Sequence, residues 1–214
     1  LYETNFRVFF GDVPGEVGTV FLEGQTVNHI YANVGTYNVR VVAYSGGAAT
    51  TQLTRPITIV DPLLLPITFE SATVNYAFTN FDGGNVTVIN NPQSSGINTS
   101  AKVARMVKNA GQPWGGSFLT LSLPMDFSNK IFRMKVWSPR AGAKVLLKVE
   151  NSANSAQNYE KEVLTTVANG WEDMVFDYQA VNTTNSYNRI VFIFDNGTMG
   201  DGTANFTFLM DDIR

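Results

Sequence analysis

Two of the three tryptophans, Trp114 and Trp137, are the side chains of this sequence best suited to hold a ligand. Trp114 lies within residues 111–116, where small residues on both sides and Pro113 leave its large ring uncovered. An apolar ring exposed on a glycine-rich loop is costly unless it serves binding. An indole can stack on the apolar C–H face of a sugar ring. We therefore expect Trp114 to contact a ligand, and a saccharide suits its ring.

Alternation of apolar and polar residues brings a second tryptophan next to charged side chains. In the strand predicted over 131–137, Trp137 points outward, and in the strand predicted over 144–150, Lys148 and Glu150 point outward. We expect the two strands to be neighbours, so that charged groups able to hydrogen-bond sugar hydroxyls lie beside an indole. The predicted ligand-binding residues are Trp114, Trp137, Lys148, Glu150 and Asp195.

Two other ring-bearing residues are expected to be structural. Trp171 follows Asn169 and Gly170 and opens a strand, a position where an aromatic ring commonly caps the core. His29 is the only histidine, and no positioned nucleophile accompanies it for deprotonation. Because the chain also has no cysteine, disulfides, thiolate nucleophiles and Cys- or His-rich metal sites are excluded.

Carboxylates are numerous, but they follow no catalytic motif. Glycosidases need two carboxylates about 5–10 Å apart, and the outward acids of this chain occur on strands that mix both charges. No nucleophile-elbow or phosphate-loop motif is present. The sequence favours a protein that is not an enzyme, with polysaccharide cleavage as an alternative. The candidate acids are Glu150, Glu160, Glu162, Asp173, Asp177 and Asp195.

Composition and charge narrow the class of partner. Fifteen Lys and Arg against 18 Asp and Glu give a net charge of −3, which argues against binding nucleic acid or an anionic membrane surface. Only 15% of the residues are charged, whereas glycine (18 residues) and aromatic residues (12%) are frequent. Secreted β-proteins have this kind of composition, so we expect an extracellular location.

Strand signals recur along the chain at roughly the eight- to twelve-residue spacing of sandwiches and barrels. Residues 98–108 could form a helix by composition, but the alternation around Arg105 favours a strand. Two prolines within 60–66 interrupt regular structure and separate two predicted domains, 1–61 and 67–214. The ten strands predicted in the second domain are 67–70, 85–89, 100–108, 116–123, 131–137, 144–150, 159–166, 172–178, 189–194 and 205–213.

Three short motifs follow one another in the first domain: Phe9-Phe-Gly-Asp12, His29-Ile-Tyr31 and Gly35-Thr-Tyr37-Asn-Val39. Their order and spacing resemble the PKD domain, an immunoglobulin-like spacer whose pattern begins with a tryptophan where this chain has Val8. A seven-strand sandwich of this kind needs about 100 residues, so we expect its first two strands to be missing. The expected fold class is all-β, with an N-terminally truncated PKD sandwich followed by a β-jelly-roll sandwich.

The second domain has motifs near its start, before a late strand and at its end: Phe69-Glu70, Asn169-Gly-Trp-Glu172 and Leu209-Met-Asp-Asp-Ile213. They resemble jelly-roll carbohydrate-binding modules, in particular the family-four type that binds β-glucans. A PKD unit followed by such a module resembles the surface glycan-binding proteins of Bacteroidota and modules attached to laminarin-degrading enzymes. The resemblance implies a laminarin-like β-1,3-glucan as ligand, an outer-membrane surface location, and a glycan importer or glycoside hydrolase as functional partner.

The same motifs imply a structural calcium ion. In similar modules, the Glu of the first motif and the first Asp of the last motif meet at adjacent strand ends, which here are Glu70 and Asp211, with Asp212 as second choice. A hard cation that prefers oxygen ligands relieves the repulsion between two carboxylates. A solvated acidic strand end is the alternative.

Glycan binding has one competitor from another class. An adhesion or spacer segment that docks to protein partners would also use β-sandwiches with polar loops. Such a segment would show no affinity for sugar and would expose an apolar patch without a groove.

Overall fold

A computed structural model describes residues 5–214. The chain divides into two compact units, Leu1–Asp61 and Pro62–Arg214. The regular structure of the described residues is all-β, as predicted, apart from one turn of 3-10 helix at Ala204–Phe206. No helix among them is long and apolar enough to cross a membrane.

The described part of the first unit forms one antiparallel sheet in the order β2-β1-β3-β4. Alternating side chains in the predicted strand after Gly35 produce the long hairpin of β3 and β4, which turns at Gly46 and Gly47. Val8, Val42 and Ala43 are its buried apolar residues. The strands are β1 (Asn5–Phe9), β2 (Thr19–Phe21), β3 (Gly35–Ser45) and β4 (Ala48–Ile59).

His29 has the contacts of a structural residue. Its ring stacks on Phe10 at 4.0 Å between centroids, and its Nε2 lies 2.8 Å from Asp12 Oδ2. Tyr31 meets the same ring edge-on and donates to the carbonyl of Phe10. The second motif of the first unit therefore packs on the Phe-Gly-Asp turn.

The second unit is a sandwich of two five-stranded antiparallel sheets. The front sheet has the order β11-β10-β13-β8-β5, and the back sheet has the order β12-β9-β14-β7-β6. The strands are β5 (Thr79–Phe81), β6 (Gly84–Asn90), β7 (Lys102–Lys108), β8 (Gly116–Thr120), β9 (Ile131–Ser138), β10 (Lys144–Asn151), β11 (Asn154–Leu164), β12 (Gly170–Asp177), β13 (Arg189–Phe194) and β14 (Thr207–Asp211).

The core of the second unit lies between these sheets. Val145, Leu147 and Val149 of β10 face it, as the alternation predicts, and they are fully buried. Tyr178 is also fully buried, and its hydroxyl donates to the carbonyl of Leu147 at 2.6 Å. The two sheets therefore share one continuous core, which fixes the outer faces of both.

Nine of the ten strands predicted in the second domain are present, and all of these but 189–194 have shifted ends. The exception is 67–70, where Ile67 makes only an isolated bridge to Ile213 and Phe69 has a φ of 59° that an extended strand does not allow. The short strand β5 was not predicted. Residues 102–108 form a strand, so the helical alternative for 98–108 is wrong.

Candidate functional site

The predicted binding residues lie on opposite faces of the sandwich. Trp137 belongs to β9 in the back sheet, whereas Lys148 and Glu150 belong to β10 in the front sheet. The expectation that these strands are neighbours is wrong, because the chain crosses from one sheet to the other between them. Alternation predicts correctly that all three side chains point away from the core, but it carries no information on which sheet holds each strand.

The outward side of the front sheet, here called the front face, has an apolar floor. Phe118 of β8 lies opposite Val191 of β13, which lies opposite Lys148 of β10. Residues that pair across strands project to the same side, so these positions form one row. A parallel row contains Leu146 paired with Ile193. The floor residues are Phe81, Phe118, Leu146, Val191 and Ile193.

Gly116 completes this floor by having no side chain. It pairs with Phe81 in β5, and a Cβ at Gly116 would lie 2.9 Å from the ring of Phe81 and 2.4 Å from the carbonyl oxygen of Phe192. Real Cβ atoms do not approach other atoms so closely. The ring of Phe81 can therefore lie over the strand, and the middle of the floor stays flat.

Charged side chains are held firmly beside this floor. The carboxylate of Glu150 forms ion pairs with Arg189 at 2.9 Å and with Lys148 at 3.1 Å. Only 7% of Glu150 is exposed. The guanidinium of Arg189 lies 4.3 Å from the ring centre of Phe118. Arg189 and Lys148 remain partly exposed and have further N–H groups to offer a ligand.

Trp114 stands at one end of the front sheet with 52% of its surface exposed. Its Nε1 donates to Asp82 Oδ2 at 2.9 Å, which fixes the orientation of the indole. The carbonyl of Pro113 accepts from the amide of Gly197, in the loop after β13. The loop is tight, since a Cβ at Gly115 would lie 2.2 Å from the carbonyl oxygen of Asp82.

Asp195, the fifth predicted binding residue, is enclosed by protein groups at the end of β13. Only 7% of the residue is exposed, and its carboxylate is bound by the guanidinium of Arg140. Its carbonyl accepts from Lys108 Nζ. The residue follows β13 with a φ of 50°, so it terminates the strand rather than presenting an acid to solvent.

Trp171 is also placed differently from the prediction. It pairs directly with Trp137 across β12 and β9, so both indoles project from the outward side of the back sheet, here called the back face. Its Nε1 donates to the carbonyl of Gln93 at 2.7 Å. Trp171 therefore anchors the loop after β6 instead of capping the core.

The proposed calcium ligands lie at the end of β14. Asp211 is fully buried; its Oδ1 accepts from the amide of Asp212, and its Oδ2 has no hydrogen-bond partner among the described residues. Burial raises the pKa of Asp211, and the polar side chains of Ser100 and Asn98 and the amide of Asp212 oppose this shift. Asn98 is fully buried beside the same strand end, in the loop before β7.

The other two proposed ligands, Glu70 and Asp212, are bound to other groups of the protein. Glu70 is exposed and accepts from the amide of Lys102 at 2.8 Å, and Asp212 pairs with Lys135 and Arg214. No group of three or more acidic or histidine residues that could hold a metal occurs among the described residues. The unpartnered buried oxygen of Asp211 fits a hard cation, whose remaining ligands would be neutral oxygens or water.

The sequence profile of the PKD domain matches residues 2–57. The match to that domain spans nearly the whole length of the first unit. A comparison with characterised proteins finds no match to the sequence.

Several solved structures are similar to the chain in fold. A family 11 carbohydrate-binding module of a cellulosomal cellulase from Clostridium thermocellum has 14% identity and a TM-score of 0.48, covering 72% of this chain and 94% of that one. A family 11 module from Clostridium thermocellum in complex with a β-1,3-1,4-mixed-linked tetrasaccharide has 13% identity and a TM-score of 0.49, covering 72% and 95%. A structure described among β-sandwich carbohydrate-binding modules has 16% identity and a TM-score of 0.47, covering 99% and 84%. At these identities and scores the likeness is one of fold alone.

Proposed function

We propose that the second unit binds a neutral polysaccharide along its front face without cleaving it. The observation that carries the proposal is a sheet face with an apolar floor and a fixed network of charged donors and acceptors, with the exposed indole of Trp114 at the end of the same sheet. A sugar ring needs both an apolar surface for its C–H face and hydrogen-bond partners for its hydroxyls.

The geometry favours an extended chain over a single sugar. Leu146 and Glu150 are four residues apart on β10, a separation of roughly 13 Å at the rise of a strand. Trp114 lies beyond the Leu146 end of this stretch of β10, and the Arg189–Glu150 pair lies at the other end. A ligand that contacts both ends must therefore contain more than one sugar ring, and affinity is the sum of modest contacts.

The motifs at the ends of the second unit support a β-glucan, and a laminarin-like β-1,3-glucan is the first polymer to test. In this proposal the PKD unit acts as a spacer at the outside of a bacterial cell. A glycan importer or a glycoside hydrolase would take up or cleave the polymer that the front face holds. Calcium bound at Asp211 would stabilise the end of β14.

Native gel electrophoresis in gels that contain laminarin tests the proposal. We expect laminarin to retard the intact chain and Trp114→Ala to abolish most of the retardation, because one stacked ring contributes about 1–2 kcal/mol. Trp137→Ala is the matched control, since it removes an indole from the opposite face.

Retardation of Trp114→Ala equal to that of the unmodified chain would refute the site. Release of reducing sugar from laminarin would refute the non-catalytic part. A chelator, added in the same gels and in a thermal melt, tests the calcium proposal. We expect the chelator to lower the melting temperature of the unmodified chain and added calcium to restore it. The melting temperature of Asp211→Asn should not respond to the chelator.

A further inference from the structure

The back face carries a row of side chains that crosses all five strands of its sheet. Trp137 pairs with Trp171 on one side and with Leu209 on the other, and Leu209 pairs with Arg105, which pairs with Thr87. Paired residues project to the same side, so this row runs perpendicular to the strands. Two indoles and a guanidinium thus share one surface, on the opposite side of the sandwich from Trp114.

The middle three residues of this row, Trp137, Leu209 and Arg105, line a depression of about 330 Å³. Although Leu209 points outward, only 2% of it is exposed, because the flanking side chains cover it. The indole of Trp137 and the side chain of Arg105 lie at opposite sides of Leu209 and both line the depression. The other lining residues are Ile89, Pro92, Gln93, Ala204 and Thr207.

One wall of the depression is held in place before any ligand arrives. The carbonyl of Gln93 accepts from Trp171 Nε1 at 2.7 Å, and the amide of Gln93 donates to Asn91 Oδ1 at 2.9 Å. The side chain of Asn91 in turn donates to the carbonyl of Ser100 at 3.0 Å. The loop after β6 therefore forms a fixed wall, which lowers the ordering cost of binding.

Arg105 is a back-face cation that is available to a ligand. Its neighbours on that face are paired, Arg133 with Asp173 at 2.8 Å and Lys135 with Asp212 at 3.2 Å. Arg105 is exposed, and its side chain makes no ion pair or hydrogen bond with any residue that the structure describes. A guanidinium beside an apolar ring suits a ligand that has both an apolar face and a carboxylate.

We propose that the depression is a second saccharide site, which binds a sugar residue that carries a carboxylate, as uronic acids do. The sugar ring stacks against Trp137 above Leu209, and its carboxylate takes two N–H groups of Arg105. The site differs from the front face in its charge, so it selects an acidic glycan rather than a neutral one. It stands on its own observations and holds whether or not the front face binds laminarin.

Indole and guanidinium N–H resonances of the intact chain distinguish the two faces. Single Trp→Phe variants assign the three indole signals in a two-dimensional ¹H–¹⁵N spectrum. Trigalacturonate is expected to shift the signals of Trp137 and Arg105 in a saturable manner and to leave that of Trp114 unmoved. Laminarin oligosaccharide, as the other arm, is expected to shift Trp114 alone, so that either proposal can fail without the other.

Arg105→Met is expected to weaken trigalacturonate binding about tenfold or more, the loss that a charge-assisted pair implies. Arg133→Met is the matched control, because it removes the same charge from the same face outside the depression, and it should bind as the unmodified chain does. Equal binding by Arg105→Met in a folded variant would overturn the proposal. Equal binding of the neutral galactotriose, or binding of a sulfated oligosaccharide without binding of the uronate, would also overturn it.

Discussion

At the scale of single residues, the front face depends on a carboxylate that two cations enclose. Glu150 points away from the core as alternation predicts, but it is nearly buried because Arg189 and Lys148 close over it. These partners come from another strand or a different position on the same strand. Since pairing between distant strands is not contained in a local pattern, the charged network of the front face could not be predicted.

The exposure of Trp114 shows the opposite case. Small residues on both sides of it are a local feature of the sequence, and local features suffice to leave a large ring uncovered. Its hydrogen bond to Asp82 could not be predicted, because Asp82 lies on a distant turn beside β5. The local sequence therefore predicts that the ring is exposed, and the fold determines its orientation.

Gly116 allows a direct test of the front-face floor. A methyl group there would overlap Phe81 and the carbonyl oxygen of Phe192, so we expect Gly116→Ala to lower the free energy of unfolding by about 1–3 kcal/mol, the usual cost of overpacking. Retardation by laminarin should fall with it, because the ring of Phe81 must move. Urea unfolding and laminarin gels measure the two effects.

Thr87→Ala in the back sheet is the control for Gly116→Ala, since Thr87 is exposed and the loss of its side chain should change stability by less than about 0.5 kcal/mol. If Gly116→Ala had the stability and retardation of the unmodified chain, the floor would not be as closely packed as the structure indicates.

At the scale of elements, period-two alternation predicts strands well but not their assignment to sheets. The strand over 189–194 was predicted with the bounds that the structure has, and β9 and β10 were each found within a residue or so of their ends. Their separation into different sheets depends on the order in which the chain crosses the core. That order is a property of the whole sandwich, so the local pattern does not determine which candidate residues share a face.

Lys108 shows how one element positions the loop of another. It extends inward from β7 in the back sheet and is fully buried. Its Nζ donates to the carbonyls of Pro113, Phe194 and Asp195 at 2.6, 3.0 and 2.8 Å. Lys108 thereby ties the loop that carries Trp114 to the end of β13 in the front sheet.

The titration of Lys108 predicts a rise in stability above neutral pH. Burial lowers the pKa of Lys108 to about 8, with Asp195 opposing the shift, from the 10.5 of an unburied lysine. Between these two values the unfolded chain binds a proton that the folded chain has released, so the free energy of unfolding rises with pH across this window. Below pH 8 both states hold the proton, and the cost of burying the charge is fully present.

Urea unfolding at a series of pH values above 7 measures this rise, with Lys108→Met as the comparison. The variant has no ammonium to titrate, so its stability should lack the rise between pH 8 and 10.5. At still higher pH the titration of Tyr178 lowers the free energy of unfolding, since burial raises the pKa of Tyr178. Identical pH profiles for the two proteins would contradict the assignment to Lys108.

At the scale of the whole molecule, the two units differ in how much core they possess. The second unit has one buried cluster that extends from Leu63 to Ile213 and draws on both sheets. In the described part of the first unit only Val8, Val42 and Ala43 are buried apolar residues. Burial of apolar surface is the main term that stabilises a fold. We therefore expect the core of the second unit to be large enough for it to fold alone and the core of the first unit to be too small.

We therefore expect a fragment of residues 62–214 to unfold cooperatively and to be retarded by laminarin as the intact chain is. Every residue of the front face, and Lys108 behind it, lies within this fragment. A fragment of residues 1–61 should show neither a cooperative transition nor retardation. Circular dichroism during heating and laminarin gels test both fragments. Loss of retardation in a folded 62–214 fragment would mean that the first unit contributes contacts to the glycan, and the spacer role proposed for it would then be wrong.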